Sequence, residues 1–151
     1  MSKELNIFFS YQKYNLSETC KKNLLEILKT VSKNNFYLVN LFLVGKRKSQ
    51  QLNSQYRKID KPTDVLVFPF YRFYKSEIEL ADDKSRDLGD IFICYPVVYK
   101  QAEKKRHSLE KEIYFLFLHG LLHLTGHDHE ETKQKKIMFS LQDKILRQLN
   151  L

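Results

Sequence analysis

From Leu5 to Tyr11 apolar and polar residues alternate, the period-two signature of a strand with one buried face. The period then changes. Ser17 is placed to cap a helix whose apolar stripe is Cys20, Leu24, Ile27, Leu28 and Val31, a helix that covers a sheet. Phe36 to Val44 is almost wholly apolar and reads as a central strand buried on both faces. Gly45 ends it before a basic helix from about Lys46 to Lys58, to which only Leu52 and Tyr56 give an apolar face. Asp60-Lys61-Pro62-Thr63 is a turn into a third strand, Asp64 to Phe68, stopped by Pro69. An acidic loop follows, and Gly89-Asp90 introduces a short fourth strand, Ile91 to Cys94, with a helix start near Pro96.

Helices dominate the remainder. Ser108 can cap a segment with Glu110 and Glu112 in its first turn that runs through Tyr114, Phe115, Leu118, Leu121 and Leu122 and is apolar on nearly every side. From about Glu130, Met138, Leu141, Ile145 and Leu149 fall at three-to-four spacing along one stripe. Strands early and helices late predict one α+β domain spanning residues 1–151, a small mixed sheet packed with helices.

Composition narrows the class. With 151 residues, 42% of them hydrophobic and 13% aromatic, the chain can bury a core without staples. The longest apolar run, Ile113 to Leu118, is far short of a membrane span, and the start has no signal-peptide core, so a cytoplasmic location is expected. Cys20 and Cys94 lack CxxC spacing and are expected to be reduced and buried. Net charge is +8, which favours a polyanionic partner. Six acids against two bases between 76 and 90 repel phosphate. Lys46, Arg47, Lys48, Arg57, Lys58 and Lys61 against only Asp60 make the best phosphate-facing strip. The same strip also reads as a solvated lysine-rich surface.

The chemistry concentrates in His119-Gly120-Leu121-Leu122-His123-Leu124-Thr125-Gly126-His127-Asp128-His129, at the end of the most apolar helix. His119 and His123 are four apart and share a helix face, so both imidazoles can reach one ion. Gly126 can end the helix in a left-handed turn and swing His129 back as a third ligand. Three polar rings buried on an apolar helix need partners, and one cation satisfies all three. A three-ligand zinc site keeps a fourth position for water and lowers its pKa towards about 7, which predicts hydrolysis. His127 is out of phase and reads as a substrate-side or surface residue. The spacing matches the H-E-x-x-H-x-x-G-x-x-H pattern of metzincin proteases except that Gly120 stands in place of the general-base glutamate. Without that base, phosphodiester cleavage assisted by a cation such as Arg57 fits better than peptide hydrolysis.

These residues resemble the signature of the YbeY family of endoribonucleases. Two further blocks are similar: Leu52-Asn53 through Tyr56-Arg57, Asp60, Pro62-Thr63-Asp64-Val65-Leu66 and Phe68, and then Leu88-Gly89-Asp90-Ile91-Phe92-Ile93-Cys94. Val67, where the family usually has Ser or Thr, and His127, where Tyr is common, depart from it. The resemblance implies a zincin-like fold with the metal site at the end of a buried helix. It implies one zinc ion held by His119, His123 and His129, with Arg57 as the catalytic partner of the metal. It implies cleavage of single-stranded RNA in maturation of the 3′ end of 16S rRNA and in ribosome quality control, with a ribosomal protein and an Era-type GTPase as partners. Lys46, Arg47, Lys48 and Lys58 are expected to assist in binding RNA, and Asp64, Asp90 and Asp128 to orient a ligand imidazole or accept a proton, although each aspartate also reads as turn or cap chemistry. Two other readings stay open: a zinc peptidase with an unusual base, and a non-catalytic ribosome-assembly factor with structural zinc.

Overall fold

Four strands form the main sheet in the order β1-β2-β6-β3, with β1, β2 and β6 parallel and β3 antiparallel at the edge. These strands are β1 (Glu4–Phe9), β2 (Leu38–Val44), β3 (Val65–Pro69) and β6 (Asp87–Cys94); β4 (Phe73–Tyr74) and β5 (Glu77–Ile78) make a separate two-stranded ribbon. Among the described residues the helices are α1 (Glu18–Ser32), α2 (Lys46–Arg57), α3 (Tyr95–Lys105), α4 (Leu109–Leu124) and α5 (Thr132–Gln148). This computed structural model describes residues 4–32, 38–70, 73–74, 77–78, 87–125 and 132–151. The mixed α+β class is as the sequence predicts, and no helix among the described residues is long and apolar enough to cross a membrane.

Caps set the helix starts where the sequence places them. Ser17 Oγ accepts from the Cys20 amide at 3.0 Å, and Ser108 Oγ accepts from the Lys111 amide at 3.1 Å. Pro96 stands in the first turn of α3, where its missing N–H costs nothing. α1 and α4 pack together on one face of the sheet, with α5 against α4, and their apolar stripes meet Val39, Leu41, Leu43, Ile91 and Ile93 in a single core. Cys20 and Cys94 are free and fully buried, as expected.

Two strand expectations need correction. β2 is not buried on both faces: its burial alternates, with Val39, Leu41 and Leu43 inside and Asn40 and Phe42 partly exposed. The strand before α3 starts at Asp87 rather than Ile91, so Leu88-Gly89-Asp90 lies within the ladder instead of leading into it. Gly89 reads as a breaker in sequence but is required inside the strand. Its φ is +138°, and a Cβ there would stand 2.2 Å from the Phe68 carbonyl oxygen of β3.

Candidate active site

α4 carries the histidine pair along its one half-buried row, Phe115, His119 and His123, each four residues from the next. The ring of Phe139 from α5 stacks on Phe115, whose ring in turn lies parallel to His119. The imidazoles of His119 and His123 have centroids 4.8 Å apart at 70° to one another, and their Nε2 atoms converge to 3.2 Å. Two ligands of one tetrahedral ion at zinc–nitrogen distances are separated by about 3.3 Å, so the donor chemistry and spacing of this pair fit a zinc ion between them. Thr125 closes α4 beneath the pair, its hydroxyl donating to the carbonyls of Leu121 and Leu122. Gly126, His127, Asp128 and His129 lie outside the described residues.

Arg57, the last residue of α2, shares a cleft with the imidazoles. This cleft of about 440 Å³ is lined by Arg57, Thr63, Asp64, Val65, Leu66, Val67, His119 and His123. Edge strand β3 forms its wall, and Val67, which replaces the hydroxyl expected there, lines it with an apolar side chain. Sequence reading missed what holds Arg57 in place. Ser49 and Asn53, four apart on α2, are buried polar residues rather than part of a solvated helix. Asn53 Nδ2 donates to the Lys61 carbonyl at 2.8 Å, and Ser49 Oγ exchanges hydrogen bonds with the carbonyl and amide of Thr63, each 3.0 Å. Lys58 turns left-handed, φ 60°, with its amide bonded to Ser54, and Ile59 N–H donates to Asn53 O. The 58–64 turn is thereby pinned to α2, which fixes the end of the helix against the start of β3. A polar pair at helical spacing just before the turn is the signal that could have revealed it.

The other site candidates separate. Arg47 and Lys48 line a different groove with Gln50, Gln51, Ser54 and Gln55 of α2 and Asp60 of the turn that follows, while Lys46 and Lys58 are exposed. Asp64 does line the cleft, where its Oδ1 accepts from the Val65 amide at 2.8 Å and its Oδ2 from Gln101 of α3 at 3.4 Å. Asp90 is placed elsewhere: it points to the outer face of the sheet and accepts from Asn40 Nδ2 at 2.9 Å, with β6 between it and α4. Cys94 is buried at the end of β6, and burial pushes its thiol up, so it is a neutral core group. The fifth histidine, His107, is bonded to the buried Glu112 at 2.5 Å, with Lys105 Nζ on the other carboxylate oxygen at 2.8 Å.

Gly120 bears directly on the peptidase reading. A Cβ there would meet Ile91 Cδ1 at 3.0 Å and both of its γ-carbons at 3.3 Å, so any side chain at this position is directed into the core beneath α4 and away from the cleft.

Comparison with known proteins places these features in a family context. The family model of Endoribonuclease YbeY matches residues 6–150. The Endoribonuclease YbeY of Malacoplasma penetrans is 36% identical over 147 residues, covering 92% of this chain and 93% of its own length. That of Phytoplasma australiense is 41% identical over 128 residues, covering 85% and 84%. The solution structure of TM1509 from Thermotoga maritima superposes with a TM-score of 0.64 at 31% identity, covering 96% of this chain and 88% of that one.

Proposed function

Because the chain belongs to the YbeY endoribonuclease family, we propose that it is a zinc-dependent endoribonuclease that cuts single-stranded RNA, with His119, His123 and His129 holding one ion and Arg57 facing it across the cleft. The observation that carries this reading is the convergence of the two Nε2 atoms, 3.2 Å apart, in the same cleft as a guanidinium. When bound, the ion supplies Lewis acidity and a water made easier to deprotonate. The remaining work falls to the chain. The planar guanidinium of Arg57 can grip two oxygens of the scissile phosphate, neutralising charge as it develops. The β3 wall of Val65, Leu66 and Val67 excludes water from one side, and the turn held by Ser49 and Asn53 keeps Arg57 from drifting. Asp64, which lines the cleft, and Asp128 are the aspartates offered to orient a ligand imidazole.

The family supports maturation of the 3′ end of 16S rRNA as the setting, with quality control of the ribosome and contacts to a ribosomal protein and an Era-type GTPase as its wider role. A zincin-like arrangement, the ligand helix running beneath an edge strand, goes with the same reading. Three assays on wild type, Arg57→Ala and His123→Ala decide it: bound zinc by elemental analysis, RNA cleavage, and fold by circular dichroism. Arg57→Ala is expected to stay folded and keep its zinc while losing about 100- to 1,000-fold in cleavage. His123→Ala is expected to lose both zinc and cleavage yet remain folded. Undiminished cleavage by Arg57→Ala would remove it from the mechanism, and unfolding of His123→Ala would turn the ion into a structural one.

A further inference from the structure

The outer face of the main sheet, opposite α1 and α4, carries a continuous row of aromatic rings. Phe8 of β1 stacks on Phe42 of β2 at 4.8 Å between centroids, and Phe42 stacks on Phe92 of β6 at 4.6 Å. Phe68 of β3 meets Phe92 edge-on at 5.5 Å, and Tyr56 of α2 meets Phe68 at 4.9 Å. Four such steps carry the row about 20 Å, across all four strands and onto α2. Its ends are open to solvent, Phe8 at 48% and Tyr56 at 58% exposure, and the rings between them are partly exposed. The core does not use this row.

We propose that this row is a base-stacking platform that binds the single-stranded RNA flanking the cleavage site, an inference that rests on the nuclease reading above. The exposed rings at the two ends, Phe8 and Tyr56, offer a base a π-surface without reading its identity, and the edges of the rings stacked between them line the path. Beside the rings, on the same face, Asn6 Nδ2 donates to Asn40 and Asn40 donates to Asp90. Those two amides and the Asp90 carboxylate offer hydrogen-bonding groups to base edges. Continuity with the cleft chooses nucleic acid over a protein ligand. The row ends at Tyr56, and the next residue, Arg57, lines the cleft with His119 and His123. A strand laid along the row from Phe8 to Tyr56 therefore arrives over the β3 edge beside Arg57. At the Tyr56 end of the row α2 contains Lys46, Arg47, Lys48 and Arg57 and no acid, while Asp90 puts one carboxylate on the sheet face. A duplex, whose bases are already stacked and paired, cannot use the rings.

The chain contains no tryptophan, so Phe8→Trp places a single reporter at the exposed end of the row, at the far end from the cleft. The zinc-loaded variant is titrated with a single-stranded deoxyribonucleotide 12-mer and with its duplex, while Phe8→Ala and wild type are compared for affinity to the 12-mer and to a trinucleotide. Quenching of the tryptophan by the single strand but not by the duplex is expected. Phe8→Ala is expected to bind the 12-mer about tenfold or more weakly, with trinucleotide affinity unchanged. If RNA is bound and cleaved while the tryptophan stays silent and Phe8→Ala binds the 12-mer normally, the platform is refuted and the nuclease stands. If the single strand quenches the reporter but no RNA is ever cleaved, the platform stands and the nuclease reading falls. A signal that follows protein concentration and ignores nucleic acid would make the face a protein-docking surface and overturn the proposal.

Discussion

Gly120 offers the sharpest test of why this chain has a glycine where metallopeptidases carry their base. In Gly120→Ala the new methyl is forced to within 3.0 Å of Ile91 Cδ1 and 3.3 Å of Cγ1 and Cγ2. Two effects then oppose each other. Alanine in a helix interior is better than glycine by about 1 kcal/mol. Overpacking a filled core costs about 1–3 kcal/mol, because both α4 and β6 are fixed by their neighbours. The net expectation is a loss of about 0–2 kcal/mol instead of the gain that helix propensity alone predicts. Ile91→Val removes the nearest atom, and by itself costs about 0.5–1.5 kcal/mol. Combined with Gly120→Ala it should cost less than it does alone, a coupling of about 1 kcal/mol. Urea unfolding of the four proteins, followed by far-ultraviolet circular dichroism, measures each difference. Gly120→Glu should be worse than Gly120→Ala, since it drives a carboxylate into the core, and should show no peptidase activity on casein. Stabilisation of Gly120→Ala by the full helix increment, together with a simply additive double mutant, would refute overpacking against Ile91.

Three further outcomes follow from the packing. Asn53→Ala frees the Lys61 carbonyl and loosens the turn behind Arg57, so it should lower stability by about 1–3 kcal/mol and reduce cleavage, with denaturation and activity measured together; unchanged cleavage would show that the turn does not position Arg57. Glu112→Gln removes the charge that Lys105 and His107 share at a buried site, and because Lys105 is half exposed the loss should be about 1–2 kcal/mol by urea unfolding. Burial pushes the thiols of Cys20 and Cys94 above their ordinary value of 9.0, so the folded state keeps protons that the unfolded chain sheds as pH rises. Their contribution is therefore full below that value and is lost as pH climbs through the raised ones. Stability should fall on the alkaline side, and a thiol-specific disulfide reagent should label neither cysteine until denaturant is added.

Helices were legible because their signals are local: Ser17 and Ser108 announce starts, and stripes such as Leu24, Ile27 and Leu28 face a core whatever lies across from them. Strands were less so, since hydropathy cannot tell a ring buried in a core from one stacked on a neighbouring ring. Phe42 made β2 look buried on both sides, yet it lies on the open face between Phe8 and Phe92. The histidine pair could be read from spacing, whereas its meeting with Arg57 depends on β3 reversing against β6, which no local pattern states. Parity along β6 decides the rest. Ile91 faces inward and meets Gly120 below the histidine pair, so Asp90 and Phe92 must face outward. A slip of one residue would aim Asp90 at the ligand helix, as the sequence alone allowed, and would bury the rings that now link Phe8 to Tyr56. The close approach under the candidate metal site and the aromatic row on the far face are thus two consequences of one register, and neither can change without the other.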